Sequence, residues 1–314
     1  MSEIELQRFL TSGEFTLSLV SFVAAQQSHN LTQVISKSLD LINYRFPKDI
    51  RNVVVKPNMC YYWDYSTGQT TDPSFVGALI EVIRSRISPD VHISIVESDA
   101  SAMKCKHAFK MLGYEKLAHH YGVDLVNLSQ DKGDTLKTNV GDQYFKIIVP
   151  QTIQKADLRI NVPKIKYLAQ TGISCALKNI FGCNPYPRKF EYHRRLNEAI
   201  VAINKIMRFD LCIVDGIIVS GIHPRRLGLV MASRDPVALD VATAEIAGVN
   251  PKMVRHIMLA SKEGIGTPYF SPVGIDPRSF SGLYPRKGPL YTLLSFGYKF
   301  LVDSGLDKLL GLSE

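Results

Sequence analysis

A chain of 314 residues with 46% hydrophobic and 21% charged residues can bury a sizeable core, which excludes a disordered polyelectrolyte. Lys plus Arg number 37 against 29 for Asp plus Glu, and the formal charge of +8 points to an acidic partner: nucleic acid, a membrane surface or an anionic small molecule. The five cysteines include no C-x-x-C pair, which argues against a disulfide framework, a zinc site or an iron–sulfur cluster and suits a reducing cytoplasm. No basic, apolar leader opens the chain, and no apolar run reaches the roughly 20 residues of a membrane span, so neither a signal peptide nor a transmembrane segment is expected.

Residues 1–48 carry little pattern apart from a helix expected from Leu31 to about Tyr44, where Val34, Ile35, Leu39 and Ile42 recur at helical spacing. Beyond them, short β-branched runs alternate with helical stretches. Strands are expected at 52–56, 92–97, 123–128, 145–149, 158–162, 211–215 and 227–231. Asp72-Pro73 and Asp235-Pro236 each open a helix as an N-cap followed by proline. This alternation predicts an α/β fold with a mostly parallel, doubly wound sheet and helices on both faces. The core is expected over 49–272, with a helical segment at 1–48 and a tail at 273–314. The tail's leucines and aromatics suit docking on the body or on a second subunit of a homo-oligomer. The alternative is peripheral contact with a membrane interface.

In open parallel sheets, ligands bind outside the carboxyl ends of the strands. The residues that follow each expected strand are Lys56-Pro57-Asn58, Glu97-Ser98-Asp99, Pro163-Lys164-Ile165-Lys166, Asp215-Gly216 and Ser233-Arg234-Asp235. Taken singly, these are a solvated lysine, a good turn and a good N-cap. Their repetition at one edge is what points to a ligand. Basic residues placed singly at strand ends, without a stripe of interleaved aromatics, disfavour nucleic acid and favour a small anion.

The stretch 170–182 offers Thr171 or Ser174 as a helix cap, with Gly172 letting backbone N–H groups approach an anion. The P-loop spacing is missing. Lys178 and Asn179 follow on a small, apolar segment, an odd place for a lysine. In the basic run 188–195, which otherwise reads as a solvated helix start, His193 is the acid/base candidate.

The order of Val-Val-Lys-Pro-Asn (54–58), Thr-Asp-Pro (71–73), Val-Glu-Ser (96–98), Asn-Val-Pro-Lys-Ile-Lys (161–166), the 171–182 block, Val-Asp-Gly (214–216) and Asp-Pro-Val-Ala-Leu-Asp (235–240) resembles the family catalogued as domain of unknown function 362, over roughly residues 50 to 270. Many members carry an appended ferredoxin-like segment with iron–sulfur motifs. This chain lacks those cysteines, and no catalytic role passes to it from the resemblance.

Roles therefore come from chemistry. Lys56, Lys178 and His193 are the catalytic candidates, and Asn58, Lys164, Lys166, Gly172, Ser174 and Asn179 the substrate-binding ones. Glu97, Asp215 and Asp240 are expected to hold a divalent metal, Mg²⁺ being favoured by hard oxygen ligands. The leading expectation is a metal-assisted reaction on a phosphorylated or polycarboxylate small molecule. The alternatives are a metal-free isomerase or lyase with a lysine base, and a non-catalytic protein that binds an anionic metabolite.

Overall fold

A computed structural model describes residues 17–26, 30–168, 170–221 and 223–285, together with Leu293, Gly297, Phe300 and Ser304. Of the expected tail at 273–314, residues 286–314 lie outside the described residues apart from those four.

In chain order the strands are β1 (Ser18–Ala24), β2 (Asn52–Pro57), β3 (His92–Glu97), β4 (Asp124–Asn127), β5 (Gly133–Val140), β6 (Gln143–Pro150), β7 (Leu158–Val162), β8 (Lys166–Leu168), β9 (Gly172–Ser174), β10 (Leu211–Val219), β11 (Arg225–Ser233) and β12 (Phe270–Gly274). The helices are α1 (Leu31–Leu41), α2 (Pro73–Arg86), α3 (Cys105–Met111), α4 (Tyr114–Tyr121), α5 (Gln151–Gln154), α6 (Ala176–Phe181), α7 (Leu196–Ile206), α8 (Pro236–Ile246), α9 (Arg255–Lys262) and α10 (Arg278–Ser281).

Eight strands form the main sheet in the order β12-β1-β11-β10-β7-β2-β3-β4. Five pairings are parallel (β12 with β1, β10 with β7, β7 with β2, β2 with β3 and β3 with β4). Only β11 runs against the rest, pairing antiparallel with β1 and β10. Alternation of side chains along each strand divides the apolar residues between two cores. Val53, Val55, Ile93 and Ile95 face the layer of α1 to α4, and Val54, Val96, Cys212 and Val214 face the layer of α6 to α9. The mostly parallel, doubly wound α/β architecture expected from the sequence is the one found.

Both proline-started helices form as expected. Asp72 Oδ1 accepts the N–H of Ser74 at 2.8 Å, and Asp235 Oδ1 accepts those of Val237 and Ala238 at 2.8 and 3.0 Å.

Three expectations need correction. Residues 18–24, inside the segment expected to be helical, form β1 within the main sheet, so the strand pairing runs across residue 48. The strand expected at 145–149 belongs to β6, which pairs with β5 in a separate two-stranded hairpin. Because β11 is reversed, its end carries Ser233 and Asp235 to the opposite edge of the sheet, where Ser233 pairs with Cys212 at the start of β10. There Asp235 caps α8 and binds Ser18 Oγ and the N–H of Thr267, both at 2.8 Å. It is a structural carboxylate.

Candidate functional site: a cationic crevice at the switch point

The chain moves outward from β2 to β3 and β4, then returns to lay β7 on the other side of β2 and moves on to β10. The carboxyl ends of β2 and β7 therefore flank a topological switch point, where connections leave to opposite faces and where open α/β sheets bind their ligands. Lys56 and Asn58 end the first strand, and Lys164 and Lys166 follow the second.

Two of these lysines are neutralised within the protein. Lys56, 1% exposed, donates to Glu97 Oε2 at 2.8 Å and to the Pro57 carbonyl at 2.7 Å. Glu97 Oε1 accepts the N–H of Ser98 at 2.9 Å. Lys164 meets Asp215 Oδ2 at 3.1 Å, both side chains fully buried, and Asp215 also accepts the N–H groups of Asp72 and Ile217 at 3.0 and 3.2 Å. Buried ions persist only when paired and hydrogen-bonded, and both pairs meet that condition.

The remaining lysines are arranged differently. Lys166 donates to Asn58 Oδ1 at 2.7 Å and to the Gln69 carbonyl at 3.1 Å. A chain of amides holds Asn58: its Nδ2 donates to Asn179 Oδ1 at 2.9 Å, and Asn179 Nδ2 donates to Asn161 Oδ1 at 2.7 Å and to the Lys56 carbonyl at 3.1 Å. Lys189 donates to the Gly182 carbonyl at 3.2 Å and to Ser98 Oγ. Lys178, on α6, lies over the Phe181 ring with its Nζ 4.2 Å from the centroid. Among the described residues it has no hydrogen bond or ion pair. Desolvation first, then the charges of Lys189 and Lys166, bring the Lys178 ammonium from 10.5 down to about 7. Burial likewise lowers Lys166 and Lys189, and the charges of Lys164 and Lys56 add to the effect on Lys166.

Thr71 explains the Thr-Asp-Pro block. Its Oγ1 donates to the Val162 carbonyl and accepts the N–H of Asn58, each at 2.9 Å, clamping the ends of β2 and β7 beside the start of α2.

The sequence-derived site is only partly assembled here. Lys56, Asn58, Lys164, Lys166, Asn179, Glu97 and Asp215 gather around the carboxyl ends of β2, β3 and β7, in the amide chain that holds Lys166 and in two buried ion pairs. Lys178 precedes Asn179 on α6, and the charges of Lys189 and Lys166 act on it. His193 is part-exposed on the 3-10 helix Lys189–Arg195, four residues beyond Lys189.

Gly172 and Ser174 do not form the expected anion cradle. They belong to β9, where Ser174 pairs with Lys166, while Thr171 Oγ1 donates to the Ile173 carbonyl. Neither Thr171 nor Ser174 caps α6. Asp240 does, its Oδ1 accepting the Ala176 N–H at 2.6 Å and its Oδ2 the Leu177 N–H at 3.2 Å. The helix start is thus already filled by a carboxylate from α8.

The three carboxylates expected to share a metal are consequently separated: Glu97 on Lys56, Asp215 on Lys164 and Asp240 under α6. Among the described residues, no three His, Cys, Asp or Glu side chains gather as a metal cluster. Sequence reasoning also passed over Lys189 and Cys60. Lys189 was hidden in a basic run that looked solvated. Cys60 stands two residues after Asn58, and that proximity was its only signal.

Fold and lysine cluster together define a doubly wound α/β protein with several buried or part-buried lysines at its switch point. The chain belongs to the family described as Domain of unknown function (DUF362), whose model matches residues 53–245. It is 32% identical over 138 residues to the Thylakoid-associated protein sll1697 of Synechocystis sp., the match covering 40% of this chain and 42% of that relative. Among solved structures, the lactate racemase apoprotein from Thermoanaerobacterium thermosaccharolyticum is similar, with a TM-score of 0.46 at 12% identity, over 74% of this chain and 57% of that one. No helix among the described residues is long and apolar enough to cross a membrane.

Proposed function

We propose that the chain is an enzyme acting on an anionic, phosphorylated or polycarboxylate small molecule, with Lys166, Lys178 and Lys189 receiving the anionic group and Lys178 serving as a metal-free general base. The observation that carries this reading is the asymmetry among the lysines. Lys56 and Lys164 each have a buried carboxylate, whereas Lys178 pairs with no carboxylate among the described residues and feels the charges of Lys189 and Lys166. Gathering like charges costs stability unless something anionic joins them. A lysine that titrates near neutrality can exchange protons with a bound acid. The metal-assisted form of the reaction has less support, because its three ligand candidates serve other groups.

The test has two stages. Native mass spectrometry of the purified protein identifies a co-purifying anion. That compound is then incubated in D2O with wild type, Lys178→Met and Lys178→Arg. Deuterium incorporation that both variants lose, with binding retained by Lys178→Arg, is the expected result. Equal exchange in all three proteins removes Lys178 as the base, and binding without any conversion favours a non-catalytic carrier.

A further inference from the structure

The loop between β2 and α2 is tied to Lys166 near both of its ends: Asn58 Oδ1 and the Gln69 carbonyl both accept from its ammonium. Between these anchors the loop exposes aromatic rings. Trp63 is 49% exposed and Tyr61 47%, with ring centroids 5.4 Å apart at an interplanar angle of 57°. Tyr65, on the following turn, is exposed as well.

The loop has a defined shape. Trp63 N–H donates to the Cys60 carbonyl at 3.3 Å, closing a turn. Thr70 Oγ1 donates to the Trp63 carbonyl at 2.6 Å, and Tyr62 Oη accepts the N–H of Lys104 at 2.9 Å. Gly68, at φ +72°, brings the returning chain so close to β10 that a Cβ there would lie 2.3 Å from the Val219 carbonyl carbon. Tyr61 holds φ +52°, a left-handed conformation uncommon for an aromatic residue. A loop fixed at this many points presents large rings to water beside an ammonium cluster. Exposed aromatic clusters of this kind mark recognition surfaces.

Resting on the anion-site reading above, we infer that the substrate is an oxyanion joined by a short linker to a planar aromatic or heteroaromatic ring. The oxyanion lies against Lys166 and Lys178, and the ring packs on Trp63 and Tyr61. A small molecule is favoured because Lys166 is buried, whereas Trp63 and Tyr61 are about half exposed on the loop whose Gln69 carbonyl Lys166 binds.

Trp63 is the chain's sole tryptophan, so its fluorescence reports on this position directly. Inorganic phosphate and phenyl phosphate are titrated into the full-length protein, by fluorescence for wild type and by calorimetry for wild type, Tyr61→Ala, Trp63→Leu and Lys178→Met. One good stacking contact corresponds to about a tenfold gain in affinity. Phenyl phosphate is therefore expected to bind about tenfold tighter than phosphate and to perturb Trp63 emission. That preference should vanish in Trp63→Leu and shrink in Tyr61→Ala, while Lys178→Met weakens both ligands. Thermal unfolding confirms that each variant is folded.

Equal affinities for the two anions, still dependent on Lys178, would overturn the ring-binding inference and leave the anion site standing. Failure of both anions to bind would overturn the two together. Trp63-dependent binding to vesicles of anionic phospholipid, without a preference for phenyl phosphate, would assign the rings to a membrane surface and overturn the inference.

Discussion

The carboxylate of Asp240 accepts the backbone N–H of Ala176 at 2.6 Å, so the helix that carries Lys178 is capped by a side chain 64 residues further along the chain. Asp240 is fully buried, and the ring of His256, also fully buried, lies 3.8 Å from its Oδ2. Asp240→Ala strands the N–H groups of Ala176 and Leu177, and a buried unsatisfied donor costs about 1–3 kcal/mol. Chemical denaturation should show a loss of that order or more, with Asp240→Asn retaining part of the stability through its remaining carbonyl. An unchanged midpoint for Asp240→Ala would mean that α6 does not depend on this cap.

The pair of Lys164 and Asp215 leads to a second prediction. Removing one partner of a buried ion pair costs about 3–5 kcal/mol because the other charge is stranded. Asp215→Ala should lose that much in urea unfolding, and Lys164→Met added to it should recover a large part. Recovery will be incomplete, since Asp215 also accepts the N–H groups of Asp72 and Ile217. If the double variant is no more stable than Asp215→Ala, the ion pair is not the source of the loss.

Much of this arrangement can be read from local sequence. A β-branched run followed by a charged residue marks a strand and its outgoing loop, and Lys56, Glu97, Lys164 and Asp215 were placed at one edge on that basis. Strand direction is not encoded in the same way. The β11 run looks like its neighbours, so local pattern alone puts Asp235 at the wrong edge. The β1 strand has the composition of its partners but no adjacent strand–helix rhythm, and its place depends on pairing with residues 229–232, some 200 positions away. The role of Asp240 was hidden for the same reason: it stands one turn beyond a helix cap, where nothing local shows that its carboxylate meets the start of α6.

The pH dependence of anion binding follows from Lys178. Its ammonium is lost near pH 7 in the folded protein, so an anion whose own charge is constant should bind more weakly as pH rises through 7. Sulfate is a suitable probe. The linkage to stability has the opposite slope. Between about 7 and 10.5 the unfolded chain holds a proton that the folded one has released, so stability rises with pH across this window. Lys178→Met should therefore raise the melting temperature more at pH 6 than at pH 10, and should flatten the sulfate profile. The lowered Lys166 and Lys189 act in the same direction and leave a residual slope. A sulfate affinity that stays flat through pH 7 in wild type would remove Lys178 from the anion site.

Cys60 provides a chemical reading of the same crevice. It is the one part-exposed cysteine of the five, and it lies on the loop whose Asn58 side chain and Gln69 carbonyl bind the Lys166 ammonium. Cys105, Cys175, Cys183 and Cys212 are buried, and burial raises each thiol, Cys183 to about 12, so their thiolates are scarce at neutral pH. Under native conditions a thiol-specific reagent should therefore modify one cysteine rapidly, and peptide mapping should identify it as Cys60. A ligand held by Lys166 and Lys178 would cover this sulfur. Saturating phosphate should then slow the modification in wild type, with the protection lost in Lys178→Met. Rapid modification that phosphate leaves unchanged would place the bound anion away from Cys60, and with it away from Lys166.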